Sequence, residues 1–390
     1  MKTLHVRNFG PLLDANIRLD DLTVLVGPQA SGKSLFVQLL KAVCDAGAIR
    51  YDLKQYGFDW IHGQSIEADY CALYFGGGLE TLVGKSTTIA QDGRTIDFRR
   101  VAKPSGAASR IPTVFLVPAQ RVLVLQDGWP KPFMGYVTGD PYSMRHFSDS
   151  LRTLMEKYFS ADAKIFPHAK WLKAGLKKKV NESIYVNAEL TLASDGLRKR
   201  VMLSPNPSGS ALPYNAWSAG QREFTPLLLA LYWLMPSARL LRRDALEIVV
   251  IEEPEMGLHP QAIVSFGLLV LELMARGYRV VISTHSPVIL DLVWAIRELK
   301  AISEREATTA LAQIFGVEGD AQVRRVLKAA LHKDYSTYFF DRTNTGVVAK
   351  DISSLEPGAE DADVSGWGGL SGFSGRTADI VGETLSKENA

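Results

Sequence analysis

The sequence predicts an α/β fold, a mixed central sheet flanked by helices with an antiparallel β subdomain and a helical lobe attached. Three observations predict it. Residues 27–34, Gly-Pro-Gln-Ala-Ser-Gly-Lys-Ser, lie between a short apolar run and a run with helical spacing, the strand–loop–helix setting of a phosphate-cradling loop. A second apolar run, Glu247–Ile251, leads into the adjacent carboxylates Glu252 and Glu253. From Gln221 onward, runs of strand length alternate with runs of helical spacing.

Taken in order, Thr3–Arg7, Ala15–Leu19 and Leu22–Val26 read as two hairpin strands feeding a buried strand. Leu35, Leu39, Leu40 and Val43 then place one apolar face on a helix over Leu35–Ala46. From Tyr51 to Ala216 the texture changes. Ala68–Phe75, Thr87–Ala90, Thr95–Val101 and Thr113–Val117 read as strands, and Phe147–Phe159 and Ala169–Lys179 as helices. Ser183–Leu192 and Leu197–Leu203 flank Ala-Ser-Asp-Gly, a hairpin signal. A second Gly-Lys-Ser, at 84–86, has Leu79 where the loop spacing requires glycine, and reads as a turn between strands. Helices Gln221–Leu234 and Gln261–Arg276 and strands Glu247–Ile251 and Arg279–Ser283 complete the pattern. The expected organisation is a composite core from 1–50 and 212–345, an inserted lobe over 51–211, and a tail over 346–390. That tail is acidic, then Gly/Ser-rich, and is expected to be weakly ordered or to need a partner surface.

Composition narrows the class. Of 390 residues, 46% are hydrophobic and 22% charged, as in ordinary globular chains. Lys plus Arg total 44 against 42 Asp plus Glu, so net charge makes no case for nucleic acid and only a local patch can. Two cysteines, Cys44 and Cys71, are too few for a disulfide framework and suit a reducing compartment. No apolar run reaches the ~20 residues of a membrane helix, so a cytoplasmic protein with no membrane contact is expected.

The motifs carry the chemistry. In a phosphate loop the backbone N–H groups of Gly27, Pro28, Gln29, Ala30, Ser31 and Gly32 (proline aside) point at phosphate oxygens, Lys33 reaches the terminal phosphates, and Ser34 binds Mg²⁺. ATP and Mg²⁺ are therefore the expected ligands. Glu252 suits the Mg²⁺ shell, and Glu253 suits a base that orients or deprotonates the attacking water. His285, in Thr-His-Ser at a strand tip, suits a γ-phosphate contact, and a lone structural histidine is the plainer alternative. Ser218, Ala219, Gly220 and Gln221 open a helix, where they make either an anion site or an ordinary N-cap.

Walker A at 27–34, Ser-Ala-Gly-Gln at 218–221, Glu-Glu-Pro-Glu at 252–255 and Thr-His-Ser at 284–286 occur in one fixed order. That order resembles the ATP-binding-cassette (ABC) type of P-loop ATPase. More narrowly it resembles the RecF, SMC and overcoming-lysogenization-defect (OLD) group of AAA-family heads, here without a Toprim domain. The resemblance covers residues 1–45 and 212–295. It implies an ATPase in which Ser218–Gln221 grip the γ-phosphate of a second subunit. It further implies Glu253 as catalytic carboxylate, Gly257–Pro260 as D-loop and His285 as switch histidine. ATP would lie between two copies, in a homodimer or larger oligomer. Gln120 stands where the Q-loop glutamine, a metal ligand, is expected, with core-capping nearly as good a reading. Glu252 for Asp, Gln29 for Asn and Ala219 for Ser or Gly depart mildly from the group.

For the biological role, the resemblance extends to ATPase components of anti-phage defence systems of the PARIS type, which control a separate effector protein. Trp367, Leu370 and Phe373 in the tail suit effector docking. The alternative is a DNA-repair or DNA-clamping head. Its support is a run from Ala163 to Asn181 without acid, in which Lys164, Lys170, Lys173, Lys177, Lys178 and Lys179 surround Trp171. A solvated helix face explains that run equally well.

Overall fold

The computed structural model describes residues 1–63, 65–103, 109–137, 139–160, 162–195, 198–205, 210–236, 242–243, 245–372, 375–377, 380–381 and 384. A 10-stranded sheet forms the centre. Its order is Arg94–Ile96, Val83–Gln91, Thr3–Phe9, Leu12–Arg18, Val347–Asp351, Tyr335–Arg342, Leu22–Val26, Arg279–Ser283, Ile248–Glu252, Val114–Val117. The half from Tyr335–Arg342 to Val114–Val117 is parallel, and the wing beyond it is largely antiparallel.

The parallel strands are buried on both faces, as continuous Val/Ile/Leu runs require. Alternate residues divide between two cores. Leu22, Val24, Val26, Val249, Ile251, Val280 and Ile282 face one, and Leu25, Ile248, Val250 and Val281 face the other. Helix Lys33–Cys44 covers the second face through Phe36, Val37, Leu39 and Leu40. Helices Tyr142–Tyr158, Ala219–Leu234 and Pro260–Ala275 cover the first. Among the described residues no helix is long and apolar enough to cross a membrane.

Four expectations need correction. Ala68–Phe75 is helical, within Ile66–Tyr74. Ser65 caps it by accepting from the Ala68 N–H, Glu67 and Asp69 occupy its first turn, and Tyr70, Cys71 and Tyr74 are buried together on one side. Gly84–Ser86 is no turn but the start of strand Val83–Gln91, which joins Thr3–Phe9 across a register shift. The strand expected over Thr95–Val101 ends at Ile96, and Asp97 caps a short helix, Phe98–Ala102.

The fourth correction concerns the domains. Strands from the supposed insertion (Val83–Gln91, Arg94–Ile96, Val114–Val117) and from the supposed tail (Val347–Asp351) all pair into the main sheet. Backbone pairing, not sequence order, therefore sets the core. Trp367 is only 9% exposed and donates from Nε1 to the Leu355 carbonyl at 3.0 Å, and Leu370 packs beside it. The chain's own core occupies these side chains, which withdraws them as an effector dock; Phe373 lies outside the described residues.

The lobe keeps several expected features. Glu189–Asp195 and Arg198–Ser204 form the hairpin, with residues 196–197 outside the described set, and Lys164–Phe166 pairs as a third strand. The helix expected over Ala169–Lys179 is confined to Ala174–Val180.

Within the lobe His146 stacks on Tyr142 at 5.5 Å, and its Nδ1 is buried without a hydrogen-bond partner. Burial, then the nearby Lys41 ammonium, holds the imidazole well below its usual range. The folded state therefore keeps His146 neutral while the unfolded chain takes up a proton below about pH 6.5. Stability should be complete above that pH and fall steadily as the pH drops below it, until the buried ring itself takes up a proton. His146→Phe should flatten that loss in thermal melts, and an unchanged pH dependence would assign it elsewhere.

Candidate nucleotide site

Three parallel strands aim their C-terminal ends at one place. Leu22–Val26 pairs with Arg279–Ser283, which pairs with Ile248–Glu252, so the histidine strand lies between the loop strand and the acidic strand. The following residues (Gly27–Ser34, Thr284–Ser286 and Glu253–Glu255) gather at this edge, a ligand crevice in open α/β sheets.

The loop has the conformation its glycines require. Gly27 has φ +145 and Gly32 φ +83, and a Cβ on Gly27 would meet the Phe340 carbonyl oxygen at 2.7 Å. Lys33 is 5% exposed. Its Nζ donates to the Gly27 and Pro28 carbonyls at 2.8 and 2.9 Å and lies 3.3 Å from Ser31 Oγ. Burial lowers the ammonium to about 8, and Glu253 and Glu255 oppose that shift. Pro28, Gln29 and Ala30 are exposed along the loop crest.

The acidic turn is built differently from the loop. Glu252 is 2% exposed, and its Oε1 has no hydrogen-bond partner. Burial pushes its carboxyl up to about 7, and a hydrogen bond with Ser34 works against that rise. Glu253 holds a left-handed backbone at φ +43, unusual for a side chain of its size. Its N–H donates to the Ser283 carbonyl at 2.8 Å. His285 Nε2 lies 3.7 Å from Glu253 Oε1, and the His285 N–H donates to Glu255 Oε1 at 2.5 Å. Burial, then Lys33, keeps the His285 ring below its usual range, with Glu253 and Glu255 opposing. Glu252 Oε1, Glu255 Oε2 and Ser283 Oγ are all buried without partners. Buried polar atoms left unpaired in one cluster mark a place built for a polar ligand.

These residues fit a Mg²⁺ ion. Ser34 and Glu252 would hold it, since a hard cation keeping waters and phosphate oxygens needs few protein ligands. Among the described residues no group of three or more His, Cys, Asp and Glu forms a dedicated metal cage. Gln120 is exposed and begins a 3-10 turn, and its side chain makes no hydrogen bond among the described residues.

The residue that sequence reasoning missed is its neighbour. Arg121 is fully buried. Its guanidinium donates to the Glu252, Glu253 and Glu223 carbonyls at 2.9, 3.0 and 3.1 Å, with the Glu223 carboxylate 3.4 Å away. One side chain thus ties the first turns of helix Ala219–Leu234 to the acidic turn. A fully buried arginine has no local sequence mark.

Ser218 and Gln221 form a reciprocal capping box, Gln221 N–H to Ser218 Oγ at 3.3 Å and Ser218 N–H to Gln221 Oε1 at 3.2 Å. Ser218 and Ala219 remain exposed. No hydrogen bond links Ser218–Gln221 to residues 27–34 of the same chain among the described residues. Gly220 instead packs on Gly257, where a Cβ would meet the Gly257 oxygen at 2.8 Å. Pro226 sits inside this helix and cannot donate to the Arg222 carbonyl; Tyr214 Oη donates there instead, at 3.0 Å.

Two family models and several solved structures are similar to parts or most of this chain. Residues 1–74 match the family model described as "AAA ATPase domain". Residues 143–291 match the one described as "AAA domain, putative AbiEii toxin, Type IV TA system". Both descriptions are of AAA-type ATPase domains, to which these two stretches are similar. No curated protein matches the chain. Among solved structures, the SMC head domain from Thermotoga maritima aligns over 90% of this chain and 98% of its own at 12% identity, TM-score 0.38. An SMC head bound to the C-terminal winged-helix domain of ScpA aligns over 90% and 96% at 9% identity, TM-score 0.43. A dimeric bacterial ABC transporter cassette aligns over 73% and 89% at 13% identity, TM-score 0.33. The AAA-matched stretches contain the phosphate loop, Ser218–Gln221, the acidic turn and His285.

Arg121→Ala should remove three hydrogen bonds to buried or half-buried carbonyls, leave a cavity, and cost about 3 kcal/mol in denaturant unfolding. Arg121→Lys should recover only part, because an ammonium cannot serve three carbonyls in a fixed fork. Unchanged stability in both variants would contradict the clamp.

Proposed function

We propose that this chain binds ATP with Mg²⁺ and hydrolyses it, acting as a nucleotide-dependent oligomeric switch. The observation that carries the reading is the convergence of Lys33, Glu252, Glu253 and His285 at three adjacent parallel strand ends. Lys33 now spends its protons on loop carbonyls and would exchange them for phosphate oxygens. Glu253, half-buried beside His285, would accept a proton from the attacking water. His285, beside it, would orient that water or the terminal phosphate. Bound Mg²⁺ supplies charge neutralisation at the phosphates.

The exposed Ser218 and Ala219 at the start of this helix, unbonded to their own loop among the described residues, support completion of the site by a second copy. In that arrangement ATP is held between the loop of one subunit and the capped helix start of the other. For the biological setting we favour the sensor ATPase of an anti-phage defence system with a separate effector. The family description over 143–291, naming a putative toxin of a type IV toxin–antitoxin system, fits a two-component system of that kind. The alternative is a DNA-repair or DNA-clamping head. The Lys164–Lys179 run supports it less than its composition suggests, because Trp171 is buried and several of the lysines are paired.

Lys33→Ala should abolish nucleotide binding in a fluorescent-nucleotide titration. Glu253→Gln should bind normally, lower turnover by about 10²-fold or more, and accumulate the ATP-bound oligomer; full turnover in this variant would remove Glu253 as the base. Ser218→Arg should leave nucleotide binding by the single subunit intact while stopping hydrolysis. Normal hydrolysis by Ser218→Arg would reject the shared site.

A further inference from the structure

We propose a second phosphate-binding site, remote from the nucleotide, in the cleft formed by Lys170, Lys173, Lys177, Arg276 and Arg325. These five cations come from three separate parts of the chain: the segment entering and forming helix Ala174–Val180, the end of helix Pro260–Ala275, and helix Ala321–Ala330. They surround a cleft of about 470 Å³ whose lining contains no carboxylate, a size typical of sites for small ligands.

The charge balance is one-sided. Beneath the cleft Glu272, 2% exposed, takes Lys173 Nζ on one oxygen at 2.6 Å and Arg276 Nε on the other at 2.8 Å. That single carboxylate fixes two of the cations in place. Lys177 Nζ donates to the His168 carbonyl at 2.9 Å, which supplies a dipole but no countercharge. Lys170 and Arg325 are exposed and have no ion pair among the described residues. Asp320, the cap of helix Ala321–Ala330, accepts the Gln322 and Val323 N–H groups on Oδ1 and lines the adjoining hollow beside Gly175 and Lys178, not this cleft. The local field registers on His168, whose imidazole is lowered by burial and then by Lys170 and Lys177.

The same geometry defines what the site reads. Trp171 cannot stack on a base, because it stacks on Tyr232 at 4.7 Å and donates from Nε1 to the Pro236 carbonyl at 3.1 Å. The cleft therefore recognises phosphate charge and not base identity. Its floor lies at the far end of the 16-residue helix whose start follows Gly257–His259, about 24 Å from it. It is separate from the phosphate loop.

Two sources supply such phosphates: a nucleic-acid backbone, or a small free polyphosphate. The test compares wild type with Lys170→Glu/Arg325→Glu and with the milder Lys170→Gln/Arg325→Gln, each checked by thermal melting. A labelled DNA duplex is titrated across a salt series, and tripolyphosphate is titrated by calorimetry. If the backbone is the ligand, the Glu pair weakens duplex binding by on the order of tenfold or more and lowers the salt slope by about 2. If only tripolyphosphate binds and the variants lose that binding, the site stands with a small phosphate ligand. Binding of both probes at wild-type strength by the variants, or of neither by the wild type, overturns the proposal. Fluorescent-nucleotide affinity should stay unchanged in both variants, so loss of the ATPase reading would appear separately.

Discussion

The arrangement of the candidate site depends on one buried guanidinium. Arg121 reaches the carbonyls of Glu252 and Glu253 and that of Glu223, so the acidic turn and the capped helix start form one rigid unit. Glu253 holds a left-handed conformation that a glutamate seldom adopts, and the hydrogen bonds on its N–H and carbonyl retain it. Any movement of helix Ala219–Leu234 must therefore be felt at Glu253. In a site shared between two subunits, the helix start that touches the partner's nucleotide would be mechanically tied to its own catalytic carboxylate.

The sheet supplies the second constraint. Because the histidine strand separates the loop strand from the acidic strand, His285 emerges between Lys33 and Glu253. Both faces of these strands are packed, which fixes their register and with it the heights of the three strand ends. At those ends three buried polar atoms, Glu252 Oε1, Glu255 Oε2 and Ser283 Oγ, are without a partner close together. Such atoms concentrate where a ligand completes the bonding.

Much of this was legible in the sequence, and the reason is locality. Leu22–Cys44, Ile248–Pro260 and Arg279–Ser286 each carry their strand, loop and functional side chains in one contiguous stretch. What failed was non-local. Nothing in Val83–Gln91 or Val347–Asp351 announces that they pair with Thr3–Phe9 and Leu12–Arg18. Ala68–Phe75 misled because Tyr70, Cys71, Tyr74 and Phe75 favour strands, whereas the Ser65 cap and buried helical face decide otherwise. Trp171 and Trp367 looked available in sequence, yet each spends its ring and its N–H on the core. Arg121 was invisible because its three partners lie about a hundred residues or more away in sequence.

The claim that ATP is held between two copies is tested most directly by mixing two inactive variants, Lys33→Ala and Ser218→Arg. A mixed dimer contains one site with an intact phosphate loop from the Ser218→Arg subunit and an intact Ser218–Gln221 from the Lys33→Ala subunit. The account predicts that ATP hydrolysis, absent from either variant alone, returns in the mixture. A mixture of folded, nucleotide-tested proteins that stays inactive would contradict it.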